Sequence, residues 1–381
     1  MGQSHAGYRG EVTAAHRWGI VGAVVLLLLA VPVLVRSLPA RGATVSATAL
    51  AARVQDSRDR SFTAYAETAG AVQLPVDDTL TGLGRLLGGN STVRVWWQDP
   101  HTWRMATLRP TGETDLVHHH DRAVRWTYES RSAAVVPDVE VRLPQTTDLL
   151  PHELARRVLA GARASELSRL PARRVAGRDA LGLRLSPAGR QASIRRVDVY
   201  VDRVTSVPLS VTVYSHGLRA PSLTSRYLAF APRRPDPAVL RFRPPPGAHV
   251  SFDGFVDIAS AVDRFASRVP PRSLAGLPAR GPGIHRRHGS VGVYGRGPTV
   301  LLALPLWSRS AHRVRDQLSH GAGAVRTKQG LLVTAQPLRL LLADPEHNGT
   351  SWLLAGTVTA RTLADAADQL VAHRPALQGP L

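Results

Sequence analysis

The feature that most constrains this chain is a two-residue alternation of apolar and polar side chains, recurring in short segments over much of its length. In "SIRRVDVYVD" (193 to 202), Val197, Val199 and Val201 alternate with Arg196, Asp198 and Tyr200. Successive side chains of a strand point to opposite faces, so such a segment puts one apolar face toward a core and one toward water. "STVRVWW" (91 to 97) sets Val93, Val95 and Trp97 against Arg94 and Trp96, and Asp99-Pro100 then turns the chain into "HTWRMATL" (101 to 108). Two strands at that spacing predict an antiparallel hairpin. The pattern continues through Thr111-Gly112 and "ETDLVHH" to "RAVRWTYES", where Val124, Trp126 and Tyr128 share a face. "DALGLRLSP" (179 to 187), "VPLSVTVYS" (207 to 215) and "SLTSRYLAF" (222 to 230) add three more strands. A one-sided apolar sheet needs a cover. Residues 47 to 59 carry Ala47, Leu50, Ala51 and Val54 at helical spacing, and "PHELARRVLAGA" (151 to 162) opens with Pro151, a residue suited to a helix start.

The 381 residues are enough for two ordinary domains, each with its own core. A second unit is expected over 284 to 373. There "GSVGVYGRGPTVLLALPLW" reads as two strands around Gly295-Arg296-Gly297, and Ala311, Val314 and Leu318 mark a helix. Three strand candidates follow in 330 to 359, with Asn348-Gly349 as a hairpin turn; a last helix is capped by Thr359 and carries Leu363, Ala366, Ala367, Leu370 and Val371 on one stripe. Between Arg264 and Gly289 the composition shifts to Pro, Arg, Gly and His, and residues 251 to 283 are assigned as a linker. The expected class is therefore α+β: an antiparallel sheet unit over 46 to 250 and a small α+β unit after it.

Before these units lies "WGIVGAVVLLLLAVPVLV", residues 18 to 35, without a charge and flanked by Arg17 and Arg36. At helical rise it spans about 27 Å, the thickness of a bilayer's hydrocarbon. A transmembrane helix with residues 1 to 17 as a cytoplasmic tail is one reading. A cleaved signal peptide, with Ala47-Thr48-Ala49 near the cut, is the other, and the length of the apolar run favours the anchor. Arg9 and Arg17 before the span match Arg36 and Arg41 after it, so charge leaves the orientation open.

The chain has no cysteine, which excludes disulfides, thiolate metal sites and thiol nucleophiles. Its formal charge is +20, and of its 48 basic residues only Lys328 is lysine. Arginine-rich coding in a GC-rich genome and attraction to anionic lipid both account for this. The arginine clusters fall in proline-rich stretches with no zinc finger, helix-turn-helix or RNA-recognition signature, so nucleic acid is not expected as a partner. His118, His119 and His120 invite a metal reading. On a strand only two of them face one way, whereas a zinc site needs three or four ligands. Their place where two strands reverse, beside Asp121, predicts a hairpin tip. A metal-dependent hydrolase built on His118 and His120 stays as an alternative, although no hydrolase, zincin or phosphate-loop motif is present. No catalytic residue, metal ligand or cofactor is assigned.

More informative are Trp96, Trp97, Trp103 and Trp126 on three neighbouring strands, a large apolar area that serves either as plain core or as the lining of an apolar cavity. The order of helix, "SFTAYAETAG", the tryptophan strands, "DLLPHELARRVLAG", "RVAGRDALGLRLSP", "IRRVDVYVDRVTSVPLSVTVYS" and "DPAVLRFRPPPGA" resembles the LolA-like superfamily, and within it the MucB/RseB-type regulators of sigma-E. The resemblance covers about 46 to 250, most specifically "VDVYVDRVTSVPL", where Ser206 stands in place of the usual hairpin glycine. Residues 284 to 372 are similar, more distantly, to the smaller domain of the RseB kind. The resemblance implies a strongly curved antiparallel sheet, an incomplete β-barrel with helices over its concave side and an apolar cavity between. It implies an extracytoplasmic location and acyl chains of lipids or lipoproteins as ligands, with an anti-sigma factor as a further partner. A sensor anchored in the cytoplasmic membrane is the expectation and a LolA-type carrier or chaperone the alternative. Trp97, Trp103, Met105, Trp126, Val199 and Val211 are the candidate lining.

Overall fold

The computed structural model describes residues 18–19, 21–26, 40–71, 88–109, 112–120, 122–137, 145–252, 270–280, 291–320, 323–344 and 351–373. Period-two alternation becomes strand wherever it was read, and tertiary pairing assembles the strands into two main sheets. In chain order the first set is β1 (Phe62–Gly70), β2 (Asn90–Asp99), β3 (Thr102–Arg109), β4 (Gly112–His119), β5 (Arg122–Thr127), β6 (Ser132–Pro137), β7 (Leu167–Val175), β8 (Arg178–Leu185), β9 (Ile194–Asp202), β10 (Pro208–Ser215), β11 (Leu223–Ala231) and β12 (His249–Phe252). They form one twelve-stranded sheet in the order β12-β6-β5-β4-β3-β2-β1-β11-β10-β9-β8-β7. All neighbours are antiparallel except β12 and β6, which run parallel. Its ends, β12 and β7, do not pair, so this curved sheet stays an open barrel. The register shifts where β11 passes Tyr65/Ala66 and where β2 passes from Trp97 to Asp99, leaving Leu228 and Gln98 as extra residues, and such insertions bend the strands that carry them.

Two short helices cover one face. Helix α1 (Ala47–Asp56) is capped by Ser46, whose hydroxyl accepts the Ala49 N–H at 3.1 Å; α2 (Pro151–Leu159) begins on proline. Leu50, Ala51 and Val54 of α1 and Ala155, Val158 and Leu159 of α2 pack on Leu181, Leu183, Val197, Val199, Val201, Val211 and Val213 of the sheet. Val197, Val199 and Val201 are completely buried; each such side chain contributes about 1.5–3 kcal/mol of transfer free energy. Across the sheet, the segment after β11 returns over β3 and β5: Arg104 donates to the Val239 carbonyl at 3.0 Å, and Phe242 lies against Trp126 with ring centres 5.5 Å apart.

The second sheet contains β15 (Gly292–Arg296), β16 (Thr299–Leu306), β17 (Ala324–Thr327), β18 (Gly330–Ala335), β19 (Leu338–Ala343) and β20 (Ser351–Gly356), in the order β15-β16-β20-β19-β18-β17. Helix α3 (Ser308–Ser319) packs on it through Leu318, and α4 (Ala360–His373) packs through Leu363, Ala366, Ala367 and Leu370, with the Thr362 N–H donating to the Thr359 hydroxyl. Val371, expected on that stripe, is exposed. Part of the stretch expected as linker is ordered against this unit. A small hairpin of β13 (Ser273–Leu274) and β14 (Leu277–Pro278) buries Leu274 and Leu277 in the same core as α4.

Backbone bonds join the two sheets: Ser193 donates to the Thr357 carbonyl at 3.1 Å, and Thr359 donates to the Gln191 carbonyl at 2.8 Å. Arg296, on the β15–β16 turn, grips Glu166 at 2.6 and 2.7 Å and also reaches the carbonyl of Gly161, just past α2. Among the described residues no helix is long and apolar enough to cross a membrane. Helical turns are described at 18–19 and 21–26; the rest of the expected span, the 1–17 tail and the Asn348-Gly349 turn lie outside the described residues.

Candidate functional site

Strand register builds the site. Phe62 on β1 stands opposite Trp97 on β2, Trp97 opposite Trp103 on β3, and Trp103 opposite His118 on β4. Directly opposed residues share a face and sit close enough for their rings to interact. The result is a ladder of nearly parallel rings, with centres 6.2 Å apart for Phe62 and Trp97, 6.0 Å for Trp97 and Trp103, and 5.2 Å for Trp103 and His118. One step along the strands, Val95 and Met105 form the next row. Helix α2 lays His152 across the ladder edge-on, 4.3 Å from Trp97 and 5.0 Å from Phe62 between ring centres. Tyr227, from β11, closes the cluster with its hydroxyl 2.7 Å from His152 Nδ1.

The polar atoms in this cluster are unevenly served. Trp103 Nε1 donates to the Pro100 carbonyl, and His118 Nδ1 lies 3.0 Å from the His101 carbonyl. Trp97 Nε1 and His152 Nε2 are buried without a hydrogen-bond partner. Burial, with a smaller contribution from the Arg156 charge, pulls the His152 pKa from 6.5 down to about 3, so the ring is neutral at physiological pH. Burial likewise pushes the Tyr227 phenol well above its usual range.

Of the six residues expected to line a cavity, Trp97, Trp103 and Met105 share this cluster. Val199 and Val211 stand opposite each other beneath α1 and α2 in the adjoining core. Trp126 belongs elsewhere: its register partner is Asp115, which pairs with Ala106, one residue past Met105, so it faces the other side of the sheet. There it packs against Tyr128 and Phe242, beside Asp115, whose carboxylate takes hydrogen bonds from Arg104 and the Tyr128 hydroxyl. The tryptophan count grouped it with the others; one position of register separated it. All six are 0–7 % exposed, packed among the protein's own side chains.

The histidine run does end a hairpin. His119 and His120 are exposed, His120 takes a left-handed φ of 58°, and its N–H donates to the His101 carbonyl at 2.9 Å. His118 is stacked and hydrogen-bonded away from them, and among the described residues no group of three His, Asp or Glu side chains converges as a metal site. Phe62, His152 and Tyr227 were not singled out in the sequence. Alternation in "SFTAYAETAG" places Phe62 on an apolar face, but neither His152 nor Tyr227 carries a local signal, because their meeting depends on how α2 crosses the sheet.

No protein-family model matches the chain, and no curated protein matches it. Among solved structures it is similar to MucB in complex with MucA(peri), at 15% identity over 84% of this chain and 97% of that one, with a TM-score of 0.48. It is likewise similar to the Pseudomonas aeruginosa MucA/MucB complex, at 15% identity over 84% and 96% and a TM-score of 0.47. A LolA superfamily protein from Nitrosomonas europaea is similar at 11% identity over 52% of this chain and 99% of that one, with a TM-score of 0.25. These structures come from the two groups that the sequence resembles.

Proposed function

We propose that this protein is an extracytoplasmic binding protein, held at the cytoplasmic membrane by residues 18 to 35, that takes acyl chains of lipids or lipoproteins against the apolar face of its large sheet. The observation that carries the reading is the way that face is covered. A twelve-stranded sheet with free edges is closed over its apolar core by two helices of only 10 and 9 residues. Their apolar side chains fill the place a guest would occupy, so binding means exchanging helix contacts for methylene contacts. Each methylene removed from water is worth about 0.8 kcal/mol and requires no particular polar chemistry, so a chain of ordinary acyl length offsets the displacement of a short helix. The resemblance of residues 46 to 250 to LolA-like proteins supports the same reading and favours binding over catalysis.

The finer reading is regulatory: the bound state is passed to a protein partner, the outer segment of an anti-sigma factor. A fixed anchor suits a sensor better than a shuttling carrier. The test is lipid analysis of the full-length protein extracted in mild detergent, together with uptake of a fluorescent fatty acid. Co-purifying lipid and saturable uptake are expected; neither, with the protein folded, overturns the proposal. Association with a purified anti-sigma outer segment encoded in the same genome, responsive to added lipid, tests the regulatory part, and no association removes it.

A further inference from the structure

Among the described residues, the buried side-chain atoms without a hydrogen bond include several that are second atoms of groups bonded elsewhere, such as Asp115 Oδ1 and Arg156 Nε. Trp97 Nε1 differs, because it is the only polar atom of its side chain, and the ring touching it edge-on, His152, has an unpartnered atom as well. A buried donor without a partner is costly enough that native structures rarely keep two in one cluster. The tautomer of His152 says what the pair lacks. A phenol is a strong donor, and among the described residues the hydrogen-bond partner of the Tyr227 hydroxyl is His152 Nδ1, 2.7 Å away, so the phenol proton is satisfied when Nδ1 accepts it. The proton of the neutral imidazole then sits on Nε2. Two N–H donors, on Trp97 and on His152, make no hydrogen bond, the nearest carboxylate oxygen to His152 Nε2 being Glu153 Oε1 at 4.0 Å, and an oxygen with two lone pairs placed within reach of both would accept from both.

We infer that Trp97 Nε1 and His152 Nε2 form a two-donor hook for the carbonyl oxygen of an acyl ester, so that the protein selects ester-linked chains over hydrocarbon of the same length. The inference rests on the proposed acyl-binding function and adds the chemistry at the head of the chain. His152 is the second residue of α2, so the hook lies at the N-terminal end of that helix, against the aromatic ladder. Both rings are neutral, so the hook attracts a carbonyl dipole rather than a carboxylate charge.

The experiment compares a diacylglycerol with the ether-linked dialkylglycerol of equal chain length, each competing with a fluorescent fatty acid for the full-length protein. The ester is expected to bind roughly tenfold more tightly, the effect of one buried hydrogen bond. Trp97→Phe, which keeps a ring and loses the donor, should lower the ratio of ester to ether affinity, read within the variant itself. Equal binding of ester and ether by the wild type, or an undiminished preference in Trp97→Phe, overturns the hook and leaves acyl binding standing. Binding of neither lipid overturns both. Should Trp97→Phe fold poorly, the indole N–H resonance of Trp97 in the wild type decides: it should move on adding the ester and stay on adding the ether. A resonance already hydrogen-bonded in the free protein and unmoved by the ester identifies water as the occupant and overturns the proposal.

Discussion

The contact between Glu166 and Arg296 offers the most exacting test of how the two sheets are held together. Glu166 is 2 % exposed at its side chain and accepts four hydrogen bonds: two from the Arg296 guanidinium at 2.6 and 2.7 Å, one from the Arg163 N–H at 2.9 Å and one from the Ala188 N–H at 3.0 Å. These donors, Arg296 foremost, outweigh the cost of burial and hold its pKa at about 2 instead of 4.5. At about 1.4 kcal/mol per tenfold change in acidity, that depression is worth roughly 3 kcal/mol. Arg296 is one-third exposed, which weakens its share through solvent screening, so the pairwise part should be about 2 kcal/mol. A double-mutant cycle of Glu166→Gln and Arg296→Met, read by denaturant unfolding of the full chain at pH 7, measures it directly. The sign with pH is fixed as well. A carboxylate with a depressed folded pKa stabilises fully above its unfolded value, near 4.5, and that stability disappears as pH falls toward about 2. Wild type should lose it across this window and Glu166→Gln should not. A coupling below about 0.5 kcal/mol, or equal acid sensitivity in the two proteins, would refute the reasoning.

Other outcomes follow from single contacts. His152 has the opposite chemistry: a base whose folded pKa lies near 3 stabilises fully above pH 6.5 and loses about 2 kcal/mol by pH 5, because the unfolded chain takes up the proton first. His152→Gln should abolish that slope in urea midpoints between pH 7 and 5. Gly297 has φ +50°, and a Cβ there would lie 2.8 Å from the Val158 carbonyl of α2, whereas one on Gly177, also left-handed at φ +74°, would meet nothing within 4 Å. Gly297→Ala should therefore lower stability by about 2 kcal/mol and Gly177→Ala by about 1 kcal/mol or less, compared by thermal unfolding; equal losses would contradict the close approach. Trp126→Phe should cost about 1 kcal/mol and leave fluorescent fatty acid uptake unchanged, since that ring faces away from α2. Reduced uptake at full folding would put Trp126 back in the site.

The alternation of side chains made most of the strands legible because period two depends only on which face meets the core. Val93, Val95 and Trp97 are buried beside an exposed Arg94, as that pattern requires. Strand β7 was missed: it is a sheet edge with Pro171 in its middle and side chains that are nearly all half-buried or exposed, so it carries little apolar pattern. Ser206 was visible as a departure at the hairpin turn; the fold shows it bearing a left-handed φ of 63°, with Asp202 accepting from the Thr205 N–H and hydroxyl to hold the turn. By itself, then, the sequence determined most of the segments that are strands or helices, which of their faces are apolar, and that no thiol chemistry is available. Only the tertiary structure decided that Trp126 parts from Trp97 and Trp103, that His152 and Tyr227 meet across 75 positions of chain, and that Glu166 is closed by Arg296 from the other sheet. Local pattern is set by neighbours a few residues apart, whereas register and helix placement are set by the packing of surfaces brought together from distant parts of the chain.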